Sequence, residues 1–357
     1  MTHFECLVER ICTQLYSIIE TGREPDRREA VRILIIKQGA LGDVVMATAL
    51  VDAIQRAHPG ADFALLTAPA FAGLFAGWPA LRVHAYPRRG LRAMWAMLRF
   101  IRAQHFDRVY DLQGSDRTGL LCALSGIRER VGNHARFPYT HHPRERWRGQ
   151  CHIFERMNEV LAAAGVAPAA PRPRLLCSAA ERAGVAAFIA QHGLVEGRYV
   201  VLHAGASPTR QDKCWPGFGD FAVRLERAGL RAVWLGAGAD APRNRALAAR
   251  AGLDASDRFS IPQLAELARR ARFALTNDSG PMHAIAAAGV PVFGLFGPSD
   301  WRRNHALGQR EHVLACTELV AAYAGQRSAD CLAALTVDTV WQRIAARGLL
   351  EPGDPSS

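Results

Sequence analysis

The chain has 357 residues, enough for two domains of ordinary size, and 49% of them are apolar, enough to fill two cores. Lys and Arg number 44 against 33 Asp and Glu, so the net charge is +11 and an anionic partner is expected: nucleic acid, a membrane surface or a phosphorylated substrate. The eight Cys form no close pairs of metal-site type and no apolar run is long enough to span a bilayer, which points to reduced thiols, a cytoplasmic location and, at most, contact with a membrane from its surface. In chain order, Phe4, Leu7, Val8, Ile11, Leu15, Ile18 and Ile19 recur at helical spacing, predicting an amphipathic helix over residues 4–20 that either packs on the body of the protein, the favoured reading, or lies on a membrane. Residues 31–37, VRILIIK, are nearly all apolar and β-branched, as in a central parallel strand. QGALGD follows, then a helix over 44–57. Gly39 and Gly42 let the backbone turn tightly and approach a ligand closely. Asp43 either caps this helix or offers a carboxylate at the carboxyl edge of the sheet, where open α/β sheets bind ligands.

Strands are predicted at 62–67, 82–86 and 108–112, with an Arg-rich helix over 91–104 and another from the last strand to about 124. Residues 134–152 break the alternation with four His, two Pro and several Arg. They read as a long loop in which Arg136, Arg144, Arg146 and Arg148 either clamp anionic groups or are simply solvated. A helix over 152–164 leads to APAAPRPR at 167–174, a semi-rigid interdomain linker. A second α/β series has strands at 199–204, 231–235, 273–276 and 292–296, an edge strand at 312–316 and a final helix over 337–346. The fold class is therefore α/β, with two Rossmann-like, doubly wound domains facing a cleft.

Candidate ligand groups cluster on the loops of the second series. In FALTNDSGPMH, Asn277–Gly280 supply a tight turn and Pro281 opens a helix. Asp278 and Ser279 either cap that helix or, with Gly280 and its N–H groups, hold a phosphate and sugar hydroxyls. His283 lies one turn further on and either donates to a phosphate or packs. The loop GASPTRQDKCWP carries Ser207, Arg210 and Lys213. Only Lys37 and Lys213 among the basic residues are lysines, so both are suspects for positions that need a compact ammonium. Asp-x-Asp occurs nowhere. No metal is therefore expected, and diphosphate charge would be met by helix dipoles and side chains.

ILIIKQGALGD, HAGAS…KCWP, TNDSGPMHAIAAAGVPVFGLFGPSD and the CLAALT ending, in that order, resemble glycosyltransferase family 9, the ADP-heptose:lipopolysaccharide heptosyltransferases of GT-B fold. The resemblance implies an inverting, metal-independent transferase with no cofactor, an ADP-heptose-like donor, an anionic lipopolysaccharide core acceptor and no nucleic acid. It implies Asp43 as catalytic base and Lys213, Asp278, Ser279, Gly280 and His283 on the donor, with Asp240 reaching the nucleoside. Lys37, Arg136, Arg144 and Arg146 are expected on the acceptor. The implied divisions are 1–30 as a helical extension, 31–170 for the acceptor, 171–325 for the nucleotide sugar, and 326–357 as a C-terminal helix and tail. The leader and the Ser207-Pro208-Thr209 segment depart from the family pattern. A sugar-nucleotide epimerase, a non-catalytic nucleotide-binding relative and a nucleic-acid-binding protein are the alternatives. Neither Gly39–Asp43 nor Gly236–Asp240 completes the three-glycine pattern of a dehydrogenase.

Overall fold

A computed structural model describes residues 30–133, 137–144, 151–328 and 330–351. The expected helix at 4–20, and Arg136, Arg146 and Arg148, lie outside the described residues. Two parallel sheets form the framework. The first contains β1 (Arg32–Ile36), β2 (Asp62–Thr67), β3 (Leu81–Ala85), β4 (Arg108–Asp111) and β5 (Glu129–Val131), in the order β3-β2-β1-β4-β5. The second contains β6 (Tyr199–His203), β7 (Arg231–Trp234), β8 (Leu253–Asp254), β9 (Phe273–Asn277), β10 (Val292–Phe296) and β11 (Val313–Ala315), in the order β11-β10-β9-β6-β7-β8. The strand order reverses between β1 and β4 in one sheet and between β6 and β9 in the other. Each reversal opens a crevice at the carboxyl ends of the strands.

The central strands are buried on both faces because they are continuously apolar. Ile33–Ile36 and Tyr199–Leu202 are fully buried. One core lies between the first sheet and the helices Leu41–Ala57 and Ile153–Ala163. Ala265, Ala284 and Leu307 of the second domain join that same core, so the domains share apolar contact. The linker is tied to the first domain: Arg174 N–H donates to Thr48 Oγ1 at 2.8 Å, and its guanidinium pairs with Asp52. The C-terminal helix Val337–Ala345 and the residues before it enter the second core, through Cys331, Leu332, Leu335, Val340 and Ile344 beside Phe221. The helix Ala179–Gln191, the short edge strands β5 and β8, and the short helices Trp301–Asn304, Cys316–Leu319 and Cys331–Ala334 add to the elements expected from sequence.

Candidate active site

The first wall of the cleft forms where β1 runs into the helix Leu41–Ala57. Gly39 has φ +142°, and a Cβ there would meet Arg88 Nη1 at 2.6 Å, so only glycine suits the turn. The helix starts three residues earlier than predicted. Ala40 is its N-cap, with no side-chain cap bond, and Asp43 lies in the first turn. The capping alternative for Asp43 is thus not realised. Its carboxylate is 29% exposed and borders the cleft. Lys37 lies behind it, 3% exposed. Its ammonium donates to the Leu112 carbonyl at 3.1 Å and stands 3.8 Å from Asp43 Oδ2. Burial draws the Lys37 pKa below its ordinary value, opposed by the charges of Asp43 and Asp111. Asp111 tops β4 opposite Ile36 and accepts from Tyr139 Oη and the N–H groups of Gln113 and Gly114. Burial pushes the Asp111 pKa up despite those bonds. Lys37 is therefore the shared cation of two carboxylates. It sits beneath Asp43, not on a surface where an acceptor would meet it.

The second wall is built from the ends of β6 and β9. Asn277 holds it together: its amide donates to the Ala204 and Gly205 carbonyls, and its Oδ1 accepts from Trp215 N–H. Trp215 is buried and donates from Nε1 to Leu335 O at 2.7 Å, which anchors the KCWP segment. Lys213 is thereby carried to Asp278, with Nζ 2.6 Å from Oδ2, and Ser299 Oγ donates to the same oxygen at 2.5 Å. Arg210 lines the cleft, but its guanidinium is engaged by Asp212 at 2.8 Å. Arg243 braces the loop from below through Ala204 O and Gln211 Oε1.

Ser279 occupies the N-cap position of the helix Gly280–Ala286 without capping it. Its hydroxyl turns to His203 Nδ1 at 3.2 Å, while His203 Nε2 stands 3.6 Å from Asp240 Oδ2. Burial opposes ionisation of Asp240, but His203, the Ala237 backbone and the Arg243 charge together hold the carboxyl below its ordinary pKa. Asp240 also presses on Gly205, where a Cβ would come within 2.1 Å of Oδ1. Asp240 is thus tied to the end of β6.

The two walls meet through a pair of close approaches. A Cβ on Gly42 would lie 2.4 Å from His283 Cδ2, and one on Gly280 would lie 2.8 Å from Leu41 Cδ2. The closeness that Gly42 permits is therefore to His283, not to a ligand. His283 is buried, its Nδ1 has no hydrogen-bond partner, and burial lowers its pKa to about 4.

Asp43, Ser207, Arg210, Lys213, Asp240, Asp278, Ser279, Gly280 and His283 all border one cavity of about 470 Å³, with Leu41, Gly42, His203 and Asn304. Arg144 is exposed and does not line it. A second interdomain cavity of about 440 Å³, between His152 and Trp301, holds none of the predicted residues. Sequence reasoning missed Arg88, Asp111, His203, Asn277 and Ser299. The HAGAS segment contained His203 and the FGPSD segment Ser299. Asp111 has no sequence signal beyond its place at the end of a predicted strand. Among the described residues no group of three His, Cys, Asp or Glu is placed to hold a metal ion.

The profile of Glycosyltransferase family 9 (heptosyltransferase) matches residues 94–329. Lipopolysaccharide heptosyltransferase 1 of Salmonella typhimurium is 28% identical over 292 residues, covering 75% of this chain and 89% of that protein. A family 9 glycosyl transferase structure from Veillonella parvula superposes with TM-score 0.76 at 21% identity, covering 90% of this chain and 97% of the other. An Escherichia coli heptosyltransferase solved with ADP gives TM-score 0.67 at 23% identity, covering 88% and 99%. The latter two likenesses bear on the fold, the GT-B arrangement of two Rossmann-like domains.

Proposed function

The chain belongs to glycosyltransferase family 9 and is a glycosyltransferase, and from that premise we propose that it moves a heptose or related sugar from an ADP-sugar to an anionic lipopolysaccharide core acceptor, with inversion and without a metal ion. One observation carries the reading: Asp43 shares a single cavity with Lys213, Asp278 and Gly280, which belong to the facing domain. In this scheme Asp43 takes the proton from the acceptor hydroxyl. The oxygen then attacks the anomeric carbon from the face opposite the diphosphate, the bond to the diphosphate breaks, and ADP leaves with the electron pair. Lys213, Arg210 and the N–H groups near Gly280 stabilise the charge that develops on it. Lys213 is held by Asp278 until the diphosphate arrives, and Lys37, 3.8 Å from Asp43 Oδ2, keeps that carboxylate aimed. Asp240, anchored by His203, is the carboxylate within reach of the nucleoside. Acceptor anions meet Arg88 at the mouth and the Arg residues of the 134–152 loop, Arg144 included. Such an acceptor is made at the inner membrane, so peripheral contact there belongs to the reading; nucleic acid does not.

General-base assistance is worth ~10²–10⁴ in rate, roughly 3–5 kcal/mol of barrier. Asp43→Ala is therefore expected to lower kcat by about that factor while ADP affinity changes little. Unchanged turnover would remove Asp43 from the role. Calorimetric titration with ADP-, UDP- and GDP-sugars tests the donor: ADP-sugars bind tightest if the reading holds, and a UDP or GDP preference overturns it. Incubation with donor alone separates transfer from epimerisation, which would release a free or epimerised sugar.

A further inference from the structure

The helix Leu91–Gln104 turns one face inward and leaves the other open. Met97, Leu98 and Ile101 are buried in a core with Leu34, Ile36, Ala64 and Leu66. Leu91 and Trp95, one turn apart on the other side, are 76% and 62% exposed. Large apolar side chains this exposed are costly in water unless something covers them. Residues 86–104 hold five Arg and no acidic residue, and Arg88, Arg89, Arg92, Arg99 and Arg102 are all exposed. The apolar end is also the helix N-terminus, where the helix dipole adds positive potential. Trp and Leu flanked by Arg on one face is the chemistry of a helix lying in a membrane interface: the rings enter the headgroup boundary while the guanidiniums meet lipid phosphates.

The position of this face relative to the cleft gives it direction. Arg88, just before the helix, lies over Gly39 in the turn that carries Asp43 into the cleft. Arg117 donates to the Gly90 carbonyl at 3.0 Å, fixing the start of the helix to the carboxyl edge of the first sheet. A bilayer against Leu91 and Trp95 therefore lies beside the mouth of the cleft. We propose that the outer face of the helix Leu91–Gln104 docks on an anionic lipid bilayer, with Leu91 and Trp95 as apolar anchors and Arg89, Arg92 and Arg99 as the electrostatic contacts. The charge and exposure of this face carry the inference without reference to the sugar chemistry; only its value to the enzyme rests on the transfer reading.

The test is cosedimentation of the full chain with vesicles of phosphatidylethanolamine and phosphatidylglycerol, against vesicles of phosphatidylcholine alone. The expected result is binding to the anionic vesicles only, weakened by salt, since contacts near an anionic surface fall off within a Debye length. Leu91→Asp/Trp95→Asp is expected to weaken it by about tenfold or more, because both anchors are lost. The same variant is expected to keep wild-type turnover on acceptor dispersed in detergent, which separates loss of docking from failure of the transferase reading. Three outcomes overturn the proposal. One is no vesicle binding by the wild type. Another is equal binding by the double variant. The third is a wild-type dimer in sedimentation that the double variant abolishes, which would make a second copy the occupant.

Discussion

Lys213 and Asp278 form a pair that, in the proposed reading, serves both stability and binding. Their charged groups are 2.6 Å apart and largely withdrawn from water, with Ser299 as the carboxylate's other donor. Removing one member of such a pair leaves a buried charge whose remaining direct partner is a hydroxyl. Lys213→Ala is therefore expected to cost about 3 kcal/mol of unfolding free energy, read by denaturant titration. Adding Asp278→Asn is expected to recover most of that stability without restoring donor affinity. A single variant as stable as the parent would reduce the pair to a surface contact. Lys213 was legible in sequence because lysine is so rare in this chain. Asp111 was not, although it shares Lys37 with Asp43. Its role depends on the β1–β4 register that sets it against Ile36, and no local spacing encodes that pairing.

At the level of elements, the cleft floor is two helices in close contact. Leu41–Ala57 and Gly280–Ala286 approach through glycine on both sides, Gly42 against His283 and Gly280 against Leu41. Gly42→Ala would place a methyl 2.4 Å from a buried ring. Overpacking of this kind costs about 1–3 kcal/mol, so a lower melting temperature and a higher KM for the donor are expected, from thermal denaturation and initial rates. An unaltered melting point would mean that the walls yield freely. The sequence announced both glycines, and the β-branched runs announced the central strands. The identity of Gly42's neighbour was hidden because it belongs to the other domain. The start of the Leu41–Ala57 helix was misread because Ala40 gives no capping signal and the glycines looked like loop. The edge strands β5 and β8 are too short for alternation to register.

Across the whole molecule, three histidines lie where the domains meet. His152 and His305 meet edge to face with ring centroids 4.4 Å apart, with His152 Nε2 3.0 Å from the His305 carbonyl, and His283 abuts Gly42. Burial lowers all three pKa values, with His283 and His305 falling to about 4. Below the ordinary value of 6.5 the unfolded chain takes up protons that the folded protein refuses. Stability must then fall as pH drops from 6.5 towards 4, and level off once the folded histidines are charged too. Melting temperatures across that window are expected to show the decline, and His305→Gln to make it shallower; a flat profile would contradict neutral burial. The plan of two Rossmann-like domains was readable from strand–helix alternation, whereas this seam was not, since its members sit far apart in the chain. The shared core has a practical corollary. Ala265, Ala284 and Leu307 fill space in the opposite half, so neither half is a free-standing cassette. A hybrid that grafts the second domain of a relative onto this first domain has to transplant those three side chains and the matched glycines with it, or it will lose solubility before its sugar specificity can be assayed.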